Sequence, residues 1–402
     1  MAPAPPALAG TRTASAIMAL ILATTAFAVN FWAWALLSPL GPVYKDLLGL
    51  SAFAVSVLVA VPVIVGALGR MLLGALTDRY GGRLVFGVTS LLGVLPVLFL
   101  AFAESYPALL AGGLLLGMTG ATFAIGVPFV NAWFPPERRG LALGIFGMGN
   151  IGTAISGFAT PWLATEFGRS VPFVMVALAL VAVGLAFLTL GRDAPGAKAP
   201  AEPFLTRFAA AARLRVTREM AGMYALTFGG FVAFGVYLPL YLKAVYGLSV
   251  ADAAARAAGF VVLATLTRPV GGWLADRLGG ERVLCWVLLG VFCCAIVVSF
   301  APGMPLATVG FLAMAAALGL GNGAVFAILG RGVPVPMVGS ATGVVGAAGG
   351  LGGFLPPIVM GLIYQATGSY AIGLMLLAAM AFGAFVYCWF VLPPAAGTGE
   401  RP

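Results

Sequence analysis

The sequence predicts an all-α membrane protein with twelve transmembrane helices in two pseudosymmetric six-helix bundles. Of its 402 residues, 62% are hydrophobic and only 8% are charged, whereas a soluble domain has about 25% charged residues. Twelve spans of about 20 residues need roughly 240 residues, which is close to the number of hydrophobic residues in the chain. A motif that recurs at a constant offset indicates that the spans form two related halves.

Apolar runs occur as two sets of six, and the only long polar stretch of the chain lies between the sets. The runs lie at residues 14–41, 52–77, 84–103, 107–133, 140–164, 171–191, 220–243, 252–275, 283–301, 305–330, 340–365 and 370–393. We therefore predict an N-terminal six-helix bundle over 1–191, a cytoplasmic linker over 192–219 and a C-terminal six-helix bundle over 220–402. The end of the linker is predicted to form a short amphipathic helix at the membrane interface.

The distribution of basic residues predicts the orientation of the chain. If both termini are cytoplasmic, fifteen Lys and Arg residues lie on the cytoplasmic side and four lie on the other side. This asymmetry follows the positive-inside rule, so the net charge of +9 does not require nucleic acid as a partner. Because the chain has no His and its four Cys lie inside apolar runs, we predict neither a metal site nor a cofactor.

The two halves share a motif of five residues at an offset of 198 positions. The matched pairs are Arg70 with Arg268, Gly74 with Gly272, Asp78 with Asp276, Arg79 with Arg277, and Gly81 with Gly279. Five matches at one offset are hard to obtain by chance, so the halves are predicted to be structural repeats. Parallel repeats of six helices are typical of secondary transporters, which bind substrate between the repeats near the bilayer midplane.

Two arginines of this motif are predicted to lie inside the membrane. Arg70 and Arg268 each precede the loop aspartate of their half by eight residues, which places them about 12 Å from the helix end and near the bilayer centre. A charge at that depth costs on the order of 3 kcal/mol, and all twelve Asp and Glu residues lie in loops or at span ends.

This uncompensated pair of arginines predicts a small anion as substrate. An anion held between the two guanidinium groups would remove their mutual repulsion and accept hydrogen bonds from both. In the alternative interpretation, each arginine donates to helix carbonyls and braces its own half.

Glycine is unusually frequent in the fifth and eleventh spans. In the eleventh span, Gly339, Gly343, Gly346, Gly350 and Gly353 recur at steps of three or four and form a stripe on one helix face. Each glycine costs about 1 kcal/mol relative to alanine in a helix, so the stripe predicts close approach of neighbouring helices. Static packing and sliding of the helices both fit this pattern.

The chain resembles the major facilitator superfamily over nearly its whole length. The superfamily's loop motif is matched by Gly74, Asp78, Arg79, Gly81 and Arg83, and again by Gly272, Asp276, Arg277, Gly279 and Arg282. Further segments resemble the nitrate/nitrite porter family, namely GMGNIG at 147–152, GGLGGFLPP at 349–357, YALTFGGFVA at 224–233 and VNAWFPPERRGLALG at 130–144.

This resemblance implies roles for particular residues. Arg70 and Arg268 would clamp the anion, Tyr224 would donate its hydroxyl, Asn150 and the backbone near Gly147 would add polar contacts, and Phe123 and Phe228 would be flanking rings. Residues with signature or gating roles would be Gly149, Gly152, Gly349, Gly350, Gly353 and Asn322. The cytoplasmic gate would be formed by Asp78, Arg79, Asp276 and Arg277. In the alternative interpretation these residues are structural and do not bind the anion: Tyr224 and Asn150 would join helices, and the two phenylalanines would belong to the core.

The resemblance also implies the activity. We expect a secondary transporter, not an enzyme, that moves nitrate and/or nitrite across the cytoplasmic (inner) membrane by alternating access, as in nitrate assimilation. The absence of titratable groups inside the spans favours nitrate/nitrite exchange. The alternatives are a proton-coupled nitrate symporter and a carrier of another small anion. The expected partners are a small inorganic anion and the lipid bilayer, and the transporter is expected to be monomeric.

Overall fold

A computed structural model describes residues 6–50, 52–195 and 204–392, and helices make up nearly all of them, with no strand among these residues. The first half contains α1 Pro6–Trp34, α2 Leu37–Leu48, α3 Ala52–Tyr80, α4 Gly82–Ala101, α5 Tyr106–Leu116, α6 Phe123–Trp133, α7 Arg139–Gly147, α8 Ile151–Phe167 and α9 Val171–Leu190. Helix α10, Phe204–Arg213, follows. The second half contains α11 Arg215–Tyr246, α12 Val250–Leu266, α13 Arg268–Leu278, α14 Gly280–Ser299, α15 Met304–Gly332, α16 Val338–Thr367 and α17 Ala371–Phe390.

The predicted all-α membrane architecture is confirmed. Eleven segments of the described chain are long and apolar enough to cross a membrane, and α11, with 32 residues, occupies the position of the seventh predicted span. Many of the large apolar side chains on the outside of these helices, such as Leu95, Leu178 and Phe390, are more than 60% exposed. Together with the length of the helices, such an apolar surface is typical of a protein that crosses a membrane.

Several predicted spans are interrupted helices. The fourth span contains the 3-10 helix Gly117–Ala121 between α5 and α6, and the fifth contains the 3-10 helix Met148–Asn150 between α7 and α8. The eighth changes from α12 to α13 at Thr267. Interruptions of this kind often mark functional positions, because 3-10 hydrogen bonding releases backbone carbonyls from the regular helical pattern.

The region predicted as a linker is partly helical. Helix α10 lies where the sequence predicts an amphipathic helix, and α11 begins at Arg215, before the predicted start of the second bundle at residue 220. An ion pair of 2.7 Å between Arg215 and Glu219, one turn apart, supports this early start.

One end of the molecule, which we call the linker end, is marked by contacts of residues 191–195. The backbone N–H of Arg83 donates to Asp193 Oδ1 at 3.0 Å, and Trp133 Nε1 donates to the carbonyl of Arg192 at 3.2 Å. The loops that follow α3 and α6 therefore lie at this end.

The two halves approach each other closely through glycines near the linker end. A Cβ on Gly74 of α3 would clash with the carbonyl oxygen of Gly339 at the start of α16. In the symmetric contact, a Cβ on Gly272 of α13 would clash with the carbonyl oxygen of Gly140 in α7. Only glycine allows backbones to approach this closely, so these positions bring both halves together at equivalent places.

Candidate functional site

The two motif arginines are buried and come from opposite halves. Arg70 lies within α3 and Arg268 is the first residue of α13, and each is 2% exposed. The buried polar and charged residues of the described chain include no Asp or Glu. The centre of the molecule therefore contains two cations without a described buried carboxylate to neutralise them.

Both guanidinium groups contact the same two aromatic rings. The Cζ atom of Arg70 lies 6.0 Å from the ring centroid of Phe123 and 5.3 Å from that of Phe228. The Cζ atom of Arg268 lies 5.7 Å and 6.0 Å from the same two centroids. These distances are within the range of cation–π attraction, so Phe123 and Phe228 stabilise both buried charges.

Arg70 also donates to two backbone carbonyls. Its Nη1 donates to the carbonyl of Gly346 in α16 at 2.7 Å, and its Nε donates to that of Gly120 at 3.4 Å. Gly120 belongs to the 3-10 helix Gly117–Ala121 of the first half, whereas Gly346 belongs to the second half. Arg70 therefore links the two halves and does not merely brace its own.

The guanidinium of Arg268 has unused hydrogen-bonding capacity. Its Nη2 lies 3.5 Å from the hydroxyl of Tyr224, which is the long limit of a hydrogen bond. Its Nε and Nη1 are buried and have no hydrogen-bond partner within the described residues. Leaving buried charged donors unpaired is costly, so the N–H groups of these two nitrogens can bind an acceptor from a ligand.

An aromatic cluster surrounds the arginines. The ring of Tyr224 stacks on Phe228 at 4.8 Å and faces Phe123 at 6.3 Å between centroids. Phe326 of α15 lies edge-on to both Phe123 and Tyr224, with both centroid distances at 4.8 Å. Phe326 is not among the residues predicted from the sequence, although it lies one helical turn after Asn322 and so shares its side of α15.

Glycine at position 147 leaves room for Arg268. A Cβ on Gly147 of α7 would lie 2.6 Å from Arg268 Nε, closer than real side chains approach. Asn150 is buried, but its Nδ2 donates to the carbonyl of Gly147 at 2.9 Å, within its own 3-10 turn. Asn150 thus fixes the backbone beside Arg268 and has no described bond to either arginine.

The other signature glycines lie at close helix contacts. A Cβ on Gly149 would clash with the ring of Phe27, and one on Gly152 would clash with the carbonyl of Ala28, so this segment packs against α1. In α16 the corresponding contacts are Gly349 with Tyr224, Gly350 with Ala67, and Gly353 with Val232. Gly350 alone among these five faces the opposite half.

Asn322 is a buried residue of α15 whose side-chain amide, at both Nδ2 and Oδ1, is not hydrogen-bonded within the described residues. The adjacent Gly323 abuts the carbonyl oxygen of Arg268. Asn322 therefore lies close to the backbone that carries Arg268.

The two loop aspartates each cap a helix of the opposite half. Oδ1 of Asp78 accepts from the backbone N–H of Gly339 at 2.9 Å, and its Oδ2 accepts from the N–H and the hydroxyl of Ser340, both at 2.9 Å. In the second half, Asp276 accepts from the N–H groups of Gly140 at 3.0 Å and Leu141 at 2.8 Å. A carboxylate at a helix N-terminus satisfies free N–H groups and the helix dipole, so both contacts stabilise the association of the halves at the linker end.

The arginines of the loop motif contact their own helices. Arg79 lies 5.2 Å from the ring of Tyr80, and Arg277 lies 4.6 Å from the ring of Trp273. The cation that pairs with Asp276 is instead Arg331 of α15, at 2.6 Å. Arg331 was not among the predicted gate residues, because its position in the sequence gives no sign that it reaches Asp276.

The family model of the Major Facilitator Superfamily matches residues 23–355 and 257–402 of the chain. Among curated relatives, the probable nitrate/nitrite transporter NarK2 of Mycobacterium tuberculosis is 46% identical over 92% of this chain and 94% of its own. The nitrite extrusion protein of Bacillus subtilis is 40% identical over 91% and 92%, respectively. The chain therefore belongs to the major facilitator superfamily and, within it, to the family of these nitrate and nitrite transporter relatives.

Solved structures share the fold at low sequence identity. The human organic anion transporter MFSD10 (TETRAN) has a TM-score of 0.77 at 16% identity, and covers 96% of this chain and 100% of its own. The fucose:proton symporter FucP of E. coli has a TM-score of 0.75 at 18% identity, with 93% and 98% covered. The predicted fold is confirmed: it is that of a multi-pass membrane transporter, and the relatives are transporters and not enzymes.

Proposed function

We propose that this protein carries nitrate and nitrite across the cytoplasmic membrane by alternating access and exchanges one anion for the other. The observation that carries the proposal is the pair Arg70 and Arg268, which come from opposite halves and contact the same two phenylalanine rings. The names of the relatives, nitrate/nitrite transporter and nitrite extrusion protein, support the choice of anion.

The chemistry of the site suits a small planar oxyanion. Arg268 has two buried donor nitrogens, Nε and Nη1, without a described partner, and the hydroxyl of Tyr224 lies beside its Nη2. Guanidinium N–H groups are planar donors that bind two oxygens of one anion, and the aromatic walls exclude water and bulkier ligands. The roles of Asn150 and Gly147 are to hold the backbone that faces Arg268, and that of Asn322 is to support it from α15.

The charge of the site favours exchange. Arg70 and Arg268 carry like charges and contact the same two rings, so they repel each other; for two unit charges about 8 Å apart, at an effective dielectric constant near 20, the repulsion is about 2 kcal/mol. A bound monovalent anion removes this repulsion, so the halves close over the site readily only when it is loaded. Because the described buried residues include no Asp or Glu that could carry a proton, return of the transporter requires a second anion.

In this proposal the linker end faces the cytoplasm, both termini are cytoplasmic, and the monomer is the transporting unit. The caps formed by Asp78 and Asp276 hold the cytoplasmic side closed. Opening toward the cytoplasm separates both carboxylates from the helices they cap, while a rocking motion closes the opposite side around the anion.

The test is nitrate uptake into proteoliposomes that contain internal nitrite, no anion substrate, or an imposed pH step. We expect uptake with internal nitrite, little uptake without it, and no stimulation by the pH step. Arg70→Lys and Arg268→Lys should remain folded but lose roughly tenfold or more in apparent nitrate affinity, because a planar fork is replaced by a point charge. Arg256→Lys, which changes a partly exposed arginine of α12, is the matched control.

Three outcomes would contradict the proposal. Equal uptake into vesicles without internal anion would exclude obligatory exchange, and uptake driven by the pH step would indicate proton symport. Unchanged nitrate affinity in both lysine variants would exclude the arginine pair as the anion site.

A further inference from the structure

A deep groove lies on the outside of the second half, between α11, α16 and α17. Its volume is about 970 Å³, which is at the upper end of the range of roughly 300–1,000 Å³ for ligand pockets. At the linker end, the hydroxyl of Tyr387 donates to Glu219 at 3.0 Å and joins α17 to α11. Beyond this bond the walls are apolar and include Met223, Leu226 and Leu377. None of the predicted anion-site residues lines the groove.

Two glycines of the groove have no packing partner. A Cβ added to Gly222 of α11 or to Gly383 of α17 would meet no protein atom within 4 Å. The two glycines lie three and four residues from Glu219 and Tyr387, so both are about one helical turn deeper than that hydrogen bond. Glycine is less favourable than alanine inside a helix, and here no neighbouring protein atom accounts for it. The glycines widen a space that the protein itself does not fill.

The charged residues that line the groove all lie at its linker end. They are Arg215, Arg218 and Glu219, and the exposed Arg213 is adjacent. Arg215 pairs with Glu219 at 2.7 Å, whereas Arg218 donates to the carbonyl of Arg213 at 2.9 Å and has no ion pair within the part of the chain that the structure describes. Three arginines against one glutamate give the entrance of the groove a positive charge.

We propose that this groove binds a phospholipid with an anionic headgroup from the leaflet at the linker end. The headgroup phosphate lies against Arg215 and Arg218, and one acyl chain runs along the groove past Gly222 and Gly383. A positively charged entrance above an apolar channel matches an anionic phospholipid and no water-soluble ligand. Basic sites between transmembrane helices bind anionic headgroups in this way.

The position of the groove indicates what the lipid does. α11 carries Tyr224 and Phe228 toward the anion site and Gly222 toward the groove, so one helix borders both. The bound acyl chain fills the space between α17 and α11 and stabilises the second half as a unit. It does not touch the transported anion.

The test uses the full-length protein in detergent with equal amounts of dioleoyl phosphatidylglycerol and dioleoyl phosphatidylcholine, and counts retained lipids by native mass spectrometry. The wild-type protein should retain phosphatidylglycerol preferentially. In the double variant R215Q/R218Q, the ratio of retained phosphatidylglycerol to retained phosphatidylcholine should fall roughly tenfold or more. The double variant G222L/G383L should retain neither lipid.

Two control variants match these changes outside the groove. Arg192→Gln removes an exposed arginine at the linker end, and Ala379→Leu enlarges an exposed residue of α17. Both should retain phosphatidylglycerol as the wild type does. Melting curves test whether each variant is folded. If G222L/G383L is unfolded, the lipid preference of R215Q/R218Q alone tests the proposal.

The proposal is wrong if the wild type retains both lipids equally, or if R215Q/R218Q keeps the preference for phosphatidylglycerol. It is also wrong if a folded G222L/G383L retains as much phosphatidylglycerol as Ala379→Leu does.

Discussion

Arg70 of the first half donates a hydrogen bond of 2.7 Å to the carbonyl oxygen of Gly346 in the second half. A Cβ on Gly346 would lie 2.9 Å from Arg70 Cδ, so the contact requires glycine. Arg268 of the second half approaches Gly147 of the first in the same manner. Each arginine thus enters a gap that a glycine of the opposite half leaves open.

The fit of Arg268 against Gly147 predicts the effect of adding one methyl group. Gly147→Ala should displace the guanidinium and reduce nitrate uptake in exchange proteoliposomes by roughly tenfold or more, since hydrogen bonds to charged groups contribute about 1.5–3 kcal/mol. Gly157→Ala is the control, because a Cβ at Gly157 of α8 would meet no atom within 4 Å. Equal uptake by both alanine variants would show that the gap is not needed.

The carboxylate of Asp78 predicts slow amide exchange at the start of α16. In Asp78→Asn, an amide NH₂ replaces the oxygen that accepts from the N–H and hydroxyl of Ser340. We expect the amide of Ser340 to exchange roughly tenfold faster, because losing such a hydrogen bond costs about 1–3 kcal/mol. Hydrogen-exchange mass spectrometry of the segment 335–345 measures this.

Asp252→Asn provides the comparison for that experiment. Asp252 pairs with Arg256 at 3.0 Å, and both side chains are partly exposed at the start of α12, away from the linker end. Its loss should leave exchange in 335–345 unchanged. If Asp78→Asn also leaves it unchanged, the carboxylate does not hold α16.

The shared ring contacts predict a stability difference between two buried phenylalanines. Phe228 contacts both guanidinium groups, whereas Phe260 packs against Phe234 in the same half. Phe228→Leu should therefore lower the melting temperature more than Phe260→Leu does, because each buried cation–π contact contributes roughly 0.5–2 kcal/mol. Equal melting temperatures in detergent would mean that the ring contributes only its apolar surface.

A pair of cysteines predicts a specific cross-link in the second half. The Sγ atoms of Cys285 in α14 and Cys388 in α17 are 2.9 Å apart and both residues are buried, whereas Cys293 is exposed. A copper–phenanthroline oxidant should remove two electrons and two protons and form a disulfide between them, which peptide mass spectrometry detects. Transport should persist, because both helices belong to the second half, which moves as one body in the proposed mechanism. Loss of transport on cross-linking would indicate that α14 and α17 move relative to each other.

The burial of both arginines and their approach to the same rings agree with the sequence prediction of a buried arginine pair. The helix rise is constant, so eight residues from Asp78 or Asp276 fix the position of Arg70 or Arg268 along the axis. The equal offset of 198 residues then places them at equivalent heights in both halves. Aromatic contacts with Phe123 and Phe228 follow from the family resemblance and not from spacing.

Other parts of the site depend on backbone groups, which residue identity does not reveal. The carbonyls of Gly120 and Gly346 accept from Arg70 because one belongs to a 3-10 helix and the other lies at a close contact between halves. Asn150 is predicted as a polar contact in the site, but in the structure its amide bonds to its own turn. Arg331 reaches Asp276 only through the packing of α15 against α13, a tertiary contact that no local pattern encodes.

The reciprocal caps have a consequence for how the linker end opens. Asp78 belongs to the first half and holds a helix of the second, while Asp276 belongs to the second and holds a helix of the first. When the two halves move as rigid bodies, releasing the cap of Asp78 while keeping that of Asp276 would strain the hydrogen bonds that remain. In the proposed mechanism both caps are therefore released together, and the form with only one cap released is the least populated arrangement.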